Sequence, residues 1–186
     1  MSISNIGDPL QANVLRTGNA IAYIDLNFDP ARSGGPVATR PVEVKIGNVY
    51  YAEFDNGNNE EGGAVEEIPH EVVQGGTGYI HLHMFLKSGE SVGTTGVEFT
   101  IYWEQRHGST VTNGSVVLSA TSAELTGNDI VFKQDGTGIS LIDELGVQLA
   151  LTIARTDGDA GDVVVPTYGV HLPVDEIGSV SMSSKT

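Results

Sequence analysis

The sequence predicts an all-β fold, an antiparallel β-sandwich of the jelly-roll type with an extended N-terminal arm. Short runs rich in Val, Ile and Thr recur along the chain and are separated by turn residues, which is the spacing typical of sandwiches. The chain contains 24 Gly and only 18% charged residues, a balance that favours strands and turns over helices. Its 186 residues are enough for one domain to bury a core, and there is no Cys to suggest disulfides.

The domain organisation predicted from the sequence has three parts. Residues 1–40 are interrupted by Gly and Pro and leave room for one short strand, Ala20 to Phe28. We interpret this segment as an arm that attaches to a partner surface, because so little apolar area cannot offset the ordering entropy of the backbone. A disordered leader is the alternative. Residues 41–180 are expected to form the sandwich, and residues 181–186 a polar tail.

The strands of the sandwich are predicted from alternation and from the turn residues between them. In chain order they are Val42 to Ile46, Val49 to Phe54, Val65 to Val73, Tyr79 to Leu86, Gly96 to Gln105, Thr110 to Ser122, Val147 to Arg155 and Val163 to Pro173. Gly47 and Asn48 predict a tight turn between the first two strands. Residues 55–63 read as a surface loop, and residues 140–145 as at most one turn of helix.

The strand Tyr79 to Leu86 is predicted to be covered on both faces. Successive side chains of a strand point to opposite sides, so one face carries the aromatic and imidazole rings and the other is aliphatic. The ring-bearing face has Tyr79, His81, His83 and Phe85, and the aliphatic face has Ile80, Leu82, Met84 and Leu86. A core on one side and a neighbour on the other would explain this pattern.

The charge of the chain excludes several partners. With 9 Lys and Arg against 24 Asp and Glu, the net charge is −15 and the pI about 4.4. Nucleic acids and anionic membranes bind clustered cations, so we expect neither as a partner. There is no signal peptide pattern and no apolar run long enough to span a bilayer, which predicts synthesis in the cytoplasm without secretion.

The order of four segments resembles that of a group of tailed-bacteriophage virion proteins. These segments are AEFDNGNNE (52–60), IPHEVVQGGTGYIHLHMFL (68–86), VEFTIYWEQRHG (97–108) and YGVHLPVDEIGS (168–179). The resemblance implies a trimeric β-sandwich that serves as a capsid decoration, head-fibre or tail-associated subunit.

We therefore expect a homotrimer that binds the major capsid protein or another virion protein, within a virion assembled in the host bacterial cytoplasm. A tail or baseplate subunit is the alternative position. In a cementing role, the arm would place its apolar anchors across capsomer boundaries. These anchors are Ile6, Leu10, Val14 and Leu15.

His81 and His83 are the most suggestive pair of candidate site residues, because an i, i+2 spacing on a strand directs both imidazoles to one face. We expect them at a subunit interface or trimer axis. Two alternatives stay open for them, a transition-metal site and a hydrogen-bonded polar seam. His70 and His171 are interpreted as strand-edge or interface residues. No metal, cofactor or catalytic residue is assigned.

The sequence bears on three further chemistries: calcium binding, glycan binding and catalysis. The turn at residues 157–162 carries alternating carboxylates, which suits either a weak calcium site or, more simply, a solvated hairpin. A glycan-binding module for host adhesion would need an aromatic platform, for which Trp103, Tyr102, Tyr79 and Phe99 are the candidates, although Trp103 and Phe99 also fit the core. No nucleophile, zinc-protease or nucleotide-binding motif occurs, so a non-enzymatic protein is expected.

Overall fold

The computed structural model describes residues 22–30, 40–57, 60–70, 72–126 and 129–174. Within these ranges eleven strands form antiparallel sheets and no helix occurs. The strands are β1 (Ala22–Phe28), β2 (Val42–Ile46), β3 (Val49–Phe54), β4 (Glu61–Glu67), β5 (Thr77–Leu86), β6 (Val97–His107), β7 (Thr110–Ala120), β8 (Val131–Gln134), β9 (Ile139–Ser140), β10 (Gln148–Gly158) and β11 (Val163–Val174). The predicted antiparallel β-sandwich is confirmed, and the arrangement is consistent with a jelly roll.

Two sheets make up the sandwich. The larger sheet has the order β2-β3-β11-β5-β8, with β1 paired to β11 and β9 paired to β5. The smaller sheet has the order β4-β10-β6-β7. The first half of β11 pairs with β3 and its second half with β1, so this one long strand joins the hairpin β2–β3 to the N-terminal strand.

The core lies between the sheets and follows from the alternation within each strand. This layer contains Ile80 and Leu82 of β5 and Leu151 of β10, and all three are fully buried. Phe54 and Phe99 pack edge to face with their ring centroids 5.2 Å apart. Full burial of a side chain of this size contributes roughly 1.5–3 kcal/mol, so this layer is the main source of stability.

The predicted boundary between arm and sandwich requires one correction. Strand β1 lies within the segment assigned to the arm, yet it pairs with β11 over its whole length, from Ala22 opposite Val174 to Phe28 opposite Tyr168. Residues 22–28 are therefore part of the larger sheet. The anchors Ile6, Leu10, Val14 and Leu15 lie outside the described residues, as do residues 175–180 of the predicted sandwich and the polar tail at 181–186.

Other differences from the sequence prediction concern strand positions. The strand placed at Val65 to Val73 is instead β4, Glu61–Glu67, so it begins inside the predicted loop. Strands β8 and β9 were not predicted. Residues 140–145 contain no helix. The turn at residues 157–162 is not a hairpin, because β10 and β11 belong to different sheets and the chain crosses between them there.

A membrane-spanning helix, judged by length and hydropathy, is absent from the described part of the chain.

Candidate functional site

A groove on the outer face of the larger sheet brings together polar and aromatic side chains from four strands. It has a volume of about 600 Å³. Its lining residues are Tyr23, Asp25, Tyr79, Gln134 and His171. We call it the outer groove. Its side chains point away from the sandwich core, because each alternates with a core residue on its own strand.

Strand register explains why these residues meet. Asp25 of β1 lies opposite His171 of β11, and His171 lies opposite Tyr79 of β5. In the next row, His81 of β5 lies opposite Gln134 of β8. Residues far apart in the sequence therefore become cross-strand neighbours, with their Cβ atoms close enough for direct contact.

His171 is held by hydrogen bonds at both ring nitrogens. Its Nε2 is 2.8 Å from Oδ1 of Asp25, and its Nδ1 is 2.8 Å from Oε1 of Gln134. Both neighbours are oxygen atoms that accept hydrogen bonds, so the N–H of the ring can donate to either of them. The contacts also fix the orientations of the Asp25 carboxylate and the Gln134 amide at the groove.

His81 is buried beneath this layer, with 1% of its surface exposed. Its ring stacks on that of His171, with the centroids 4.2 Å apart and the planes 20° from parallel. Its Nδ1 atom has no hydrogen-bond partner. Burial, followed by the charge of His171, lowers the pKa of His81 to about 4, so this imidazole is neutral at physiological pH.

Aromatic rings surround the histidines. Tyr23 and Tyr79 form an edge-to-face pair with centroids 6.1 Å apart, and Tyr23 is 44% exposed. Phe132, which is 47% exposed, lies 5.0 Å from the ring of His83 and 5.9 Å from that of His81. Burial lowers the pKa of His83 as well. Exposed rings beside fixed polar groups are typical of ligand sites.

The predicted pair His81 and His83 does share one face of β5, with the rings 5.5 Å apart and edge to face. The aliphatic face of this strand is fully buried as predicted, whereas on the ring-bearing face only His81 is buried and Tyr79, His83 and Phe85 are half-buried. His81 is buried by side chains of its own chain, whereas His83 is half-buried. Contact with a second subunit or a trimer axis stays a prediction for these two residues.

The other candidate histidines separate in the structure. His171, interpreted from the sequence as a strand-edge or interface residue, lies at the centre of the outer groove. His70 lies apart from it in the irregular segment after β4, where its Nε2 is 3.2 Å from Oε1 of Glu67.

The aromatic platform considered from the sequence does not form. Phe99 is fully buried, and Trp103 is half-buried and packs against the core. Tyr102 lies on the outer face of the smaller sheet, whereas Tyr79 belongs to the larger sheet. The side chains of β6 alternate between core and solvent, so these four rings cannot share a surface.

The acidic turn at residues 157–162 does not converge on a calcium site. Asp157 accepts a hydrogen bond from the backbone N–H of the next residue. Asp159 accepts hydrogen bonds from the side chains and backbone N–H groups of Thr94 and Thr95, which hold the pKa of its carboxyl below the ordinary range. The carboxylate of Asp162 points instead to Lys87.

A carboxylate cluster that includes Asp162 of this turn lies where β3 meets the start of β11. Oxygen atoms of Glu53, Asp55 and Asp162 come within 4.8 Å of one another. Lys87 neutralises part of this charge, because its Nζ is 2.9 Å from Oε1 of Glu53 and 3.2 Å from Oδ2 of Asp162. These two hydrogen bonds raise the pKa of Lys87.

Four residues of the site were not predicted from the sequence. Tyr23 and Asp25 alternate with the core-facing Ile24, Leu26 and Phe28, so recognising the alternation in β1 would have placed them on the outer face. Phe132 and Gln134 belong to β8, which has only four residues. A run this short gives almost no periodic signal.

Comparison with known proteins found similarity at the level of fold. No family model matches the sequence, and no curated protein matches it significantly. A solved xylan-binding module, CBM15, aligns with a TM-score of 0.45 and 13% identity over 81% of this chain and 97% of the module. A family 16 carbohydrate-binding module aligns with a TM-score of 0.38 and 11% identity over 80% of this chain and 85% of that module.

An unrelated kind of protein is also among the similar structures. The insecticidal delta-endotoxin Cry8Ea1 from Bacillus thuringiensis aligns with a TM-score of 0.39 and 16% identity, over 69% of this chain and 20% of the toxin. Because one sandwich fold hosts many functions, these similarities carry no conclusion about what this chain binds.

Proposed function

We propose that this chain is a non-enzymatic carbohydrate-binding module that holds a neutral saccharide in the outer groove. The observation that carries the proposal is the combination, within one open groove, of the Tyr23 and Tyr79 rings with the Asp25 carboxylate and the Gln134 amide. A sugar presents apolar C–H faces and a rim of hydroxyl groups. Aromatic rings pack against the C–H faces, and oriented oxygen and nitrogen atoms form hydrogen bonds with the hydroxyl groups.

The polar groups of the groove are preorganised. His171 contacts both Asp25 and Gln134 at 2.8 Å, so neither side chain has to be ordered when a ligand binds. The residues are carried by strands of one sheet and not by loops. Preorganisation reduces the entropic cost of association and supports a binding role for this face.

The charge of the chain favours a neutral ligand. At a net charge of −15, a polyanionic saccharide would be repelled at long range. The groove itself carries a carboxylate at Asp25, which would also disfavour a uronic acid at that position. Neutral hydroxyl groups, in contrast, can donate hydrogen bonds to this carboxylate.

The carboxylate content of the groove supports binding over hydrolysis. Glycosidases of the common types place two carboxyl groups across the scissile bond. Among the described residues that line the outer groove, Asp25 is the only one with a carboxyl group. A non-enzymatic role is therefore part of the proposal.

The proposal is tested with a panel of neutral polysaccharides in affinity gel electrophoresis, followed by calorimetry with oligosaccharides of the one that retards the chain. Tyr23→Ala should weaken binding at least about tenfold, because an exposed aromatic anchor is lost. Tyr102→Ala is the matched control, since Tyr102 is 47% exposed but lies on the smaller sheet.

Equal loss of binding in both variants, or no retardation by any neutral polysaccharide, would contradict the proposal. Measurements are made in a chelator-containing buffer, so that the result concerns the rings and polar groups of the groove alone.

A structural role on a phage particle is our second proposal, and the exposed apolar side chains of the hairpin β2–β3 support it. Val42, Ile46, Val49 and Tyr50 are each between 39% and 63% exposed, although they belong to strands. Apolar side chains grouped at a sheet edge favour assembly with another chain. A homotrimer by light scattering that co-sediments with empty capsids would support this role, and a monomer at high concentration would contradict it.

A further inference from the structure

We propose that Asp25, His81 and His171 form a site for a borderline transition-metal ion, with Zn²⁺ as the leading candidate, at the floor of the outer groove. Each of the three side chains offers one ligand atom, and these three atoms lie within 4.8 Å of one another. The proposal does not depend on saccharide binding. It concerns a second property of the same face of the sheet.

A buried nitrogen without a hydrogen bond is the observation that points most directly to a ligand. His81 is 99% buried, and its Nδ1 has no partner. An unpaired polar atom in the interior costs roughly 1–3 kcal/mol, so such atoms are rare unless something binds them. A metal ion coordinated by His81 and its neighbours would give this nitrogen the partner that no hydrogen bond within the chain supplies.

The second observation is the environment of His171. Its Nδ1 faces the side-chain oxygen of Gln134 while its Nε2 faces the carboxylate of Asp25. A histidine that binds a metal through one nitrogen commonly donates its other N–H to a carbonyl or carboxylate oxygen, which fixes the tautomer. Gln134 is placed to accept that hydrogen bond, leaving Nε2 and the Asp25 oxygen to coordinate the ion.

The distances between the three ligand atoms require only a small rearrangement of the site. Zn²⁺ bonds to imidazole nitrogen and carboxylate oxygen are about 2.0–2.2 Å long, which puts ligand atoms of a tetrahedral ion about 3.3–3.6 Å apart. The pair His171 and Asp25 is at 2.8 Å, and all separations within the group are below 4.8 Å. Metal binding would replace the hydrogen bond between these two residues.

The ligand types select the class of ion. Two imidazoles and one carboxylate suit Zn²⁺ and its neighbours in the first transition row, whereas Ca²⁺ and Mg²⁺ prefer oxygen ligands. The other cluster, formed by Glu53, Asp55 and Asp162, has only oxygen ligands and already contains the Lys87 ammonium group. Three protein ligands leave a fourth position toward the groove, as in zinc sites that bind a further molecule.

The test is calorimetric titration of ZnCl₂ into the untagged full chain after chelator treatment and dialysis. We expect one Zn²⁺ per chain, undisturbed by excess Ca²⁺. His171→Gln and Asp25→Asn should each weaken binding at least about tenfold. His70→Gln is the matched control, because it removes an exposed imidazole that lies outside the site.

A spectroscopic measurement separates the site from general attraction of cations to an acidic surface. Co²⁺ held by this ligand set should give the visible absorption of tetrahedral cobalt, and the bands should be lost in His171→Gln. Asp25 is on the surface, so Asp25→Asn remains informative if the histidine variant does not fold. Absence of Zn²⁺ binding, displacement by Ca²⁺, or unchanged affinity in Asp25→Asn would each overturn the proposal.

Discussion

The imidazole rings of His81 and His171 lie stacked 4.2 Å apart, one buried in the larger sheet and the other at the groove above it. The two residues are diagonal neighbours, since His81 is paired with Gly169 and His171 with Tyr79. Gly169 has no side chain on the outer face to separate the rings. The neutral ring of His81 is thereby in contact with the ring of His171, which is held between two oxygen acceptors.

Protonation of His81 should destabilise the metal-free protein at low pH. The pKa of this group is lowered in the folded state from 6.5 to about 4, so between these values the unfolded chain binds the proton more readily. Stability is fully present above pH 6.5 and is lost as the pH falls toward 4. From pH 7.5 to 4.5 this group alone should remove roughly 2–3 kcal/mol.

The measurement is urea unfolding at both pH values for the chelator-treated wild type and for His81→Phe, which keeps a buried ring but does not titrate. Asp25, His83 and His171 also face His81 and are common to both proteins. The wild type should lose more stability than the variant. An equal loss in the two proteins would show that His81 does not titrate as expected.

Gly169→Ala should displace β1 from the larger sheet. A Cβ atom at this position would lie 2.4 Å from the backbone oxygen of Leu26 and 3.2 Å from Cα of Asn27. Forced movement of this kind typically costs about 1–3 kcal/mol. The Asp25 carboxylate would move with β1, so ligand and metal binding at the groove should weaken along with stability.

Urea midpoints provide the measurement for this substitution. Gly136→Ala is the matched control, because a Cβ atom there meets nothing within 4 Å. Identical midpoints for Gly169→Ala and Gly136→Ala would mean that β1 does not approach β11 as closely as the structure describes.

Arg155→Met should strongly destabilise the fold. The guanidinium is buried, and its Nη1 donates to the backbone oxygens of Phe54 and Gly161 at 3.0 and 2.9 Å, while Nη2 donates to that of Ala160 at 2.6 Å. It thus joins the end of β3 to the segment that crosses between the sheets. Loss of the donor leaves three carbonyl groups unsatisfied, at a cost of about 3 kcal/mol.

Thermal and urea unfolding would measure this effect. The matched control is Arg106→Met, since the side chain of Arg106 is 58% exposed and pairs with Glu104 at the surface. That change should stay within about 0.5 kcal/mol of the wild type. Equal stability of the two variants would contradict the structural role assigned to Arg155.

Much of the larger sheet could be predicted, because alternation is a local property. The two faces of β5 followed directly from the order of apolar and ring-bearing residues, and Gly47 marks the turn of the hairpin β2–β3 with a φ of 64°. In β1 no alternation was recognised, so Tyr23 and Asp25 were not placed on the outer face. Strand β8 was missed because it has only four residues.

The sequence alone determined that strands form, where most of them lie, and which face of β5 carries His81 and His83. Only the tertiary structure decided that Asp25, His81 and His171 meet. The physical reason is the difference in sequence separation between the contacts that decide each property. A side chain's face depends on its immediate neighbours in the chain, whereas a cross-strand partner depends on which strands pair and in what register, and that is set by packing over the whole sandwich.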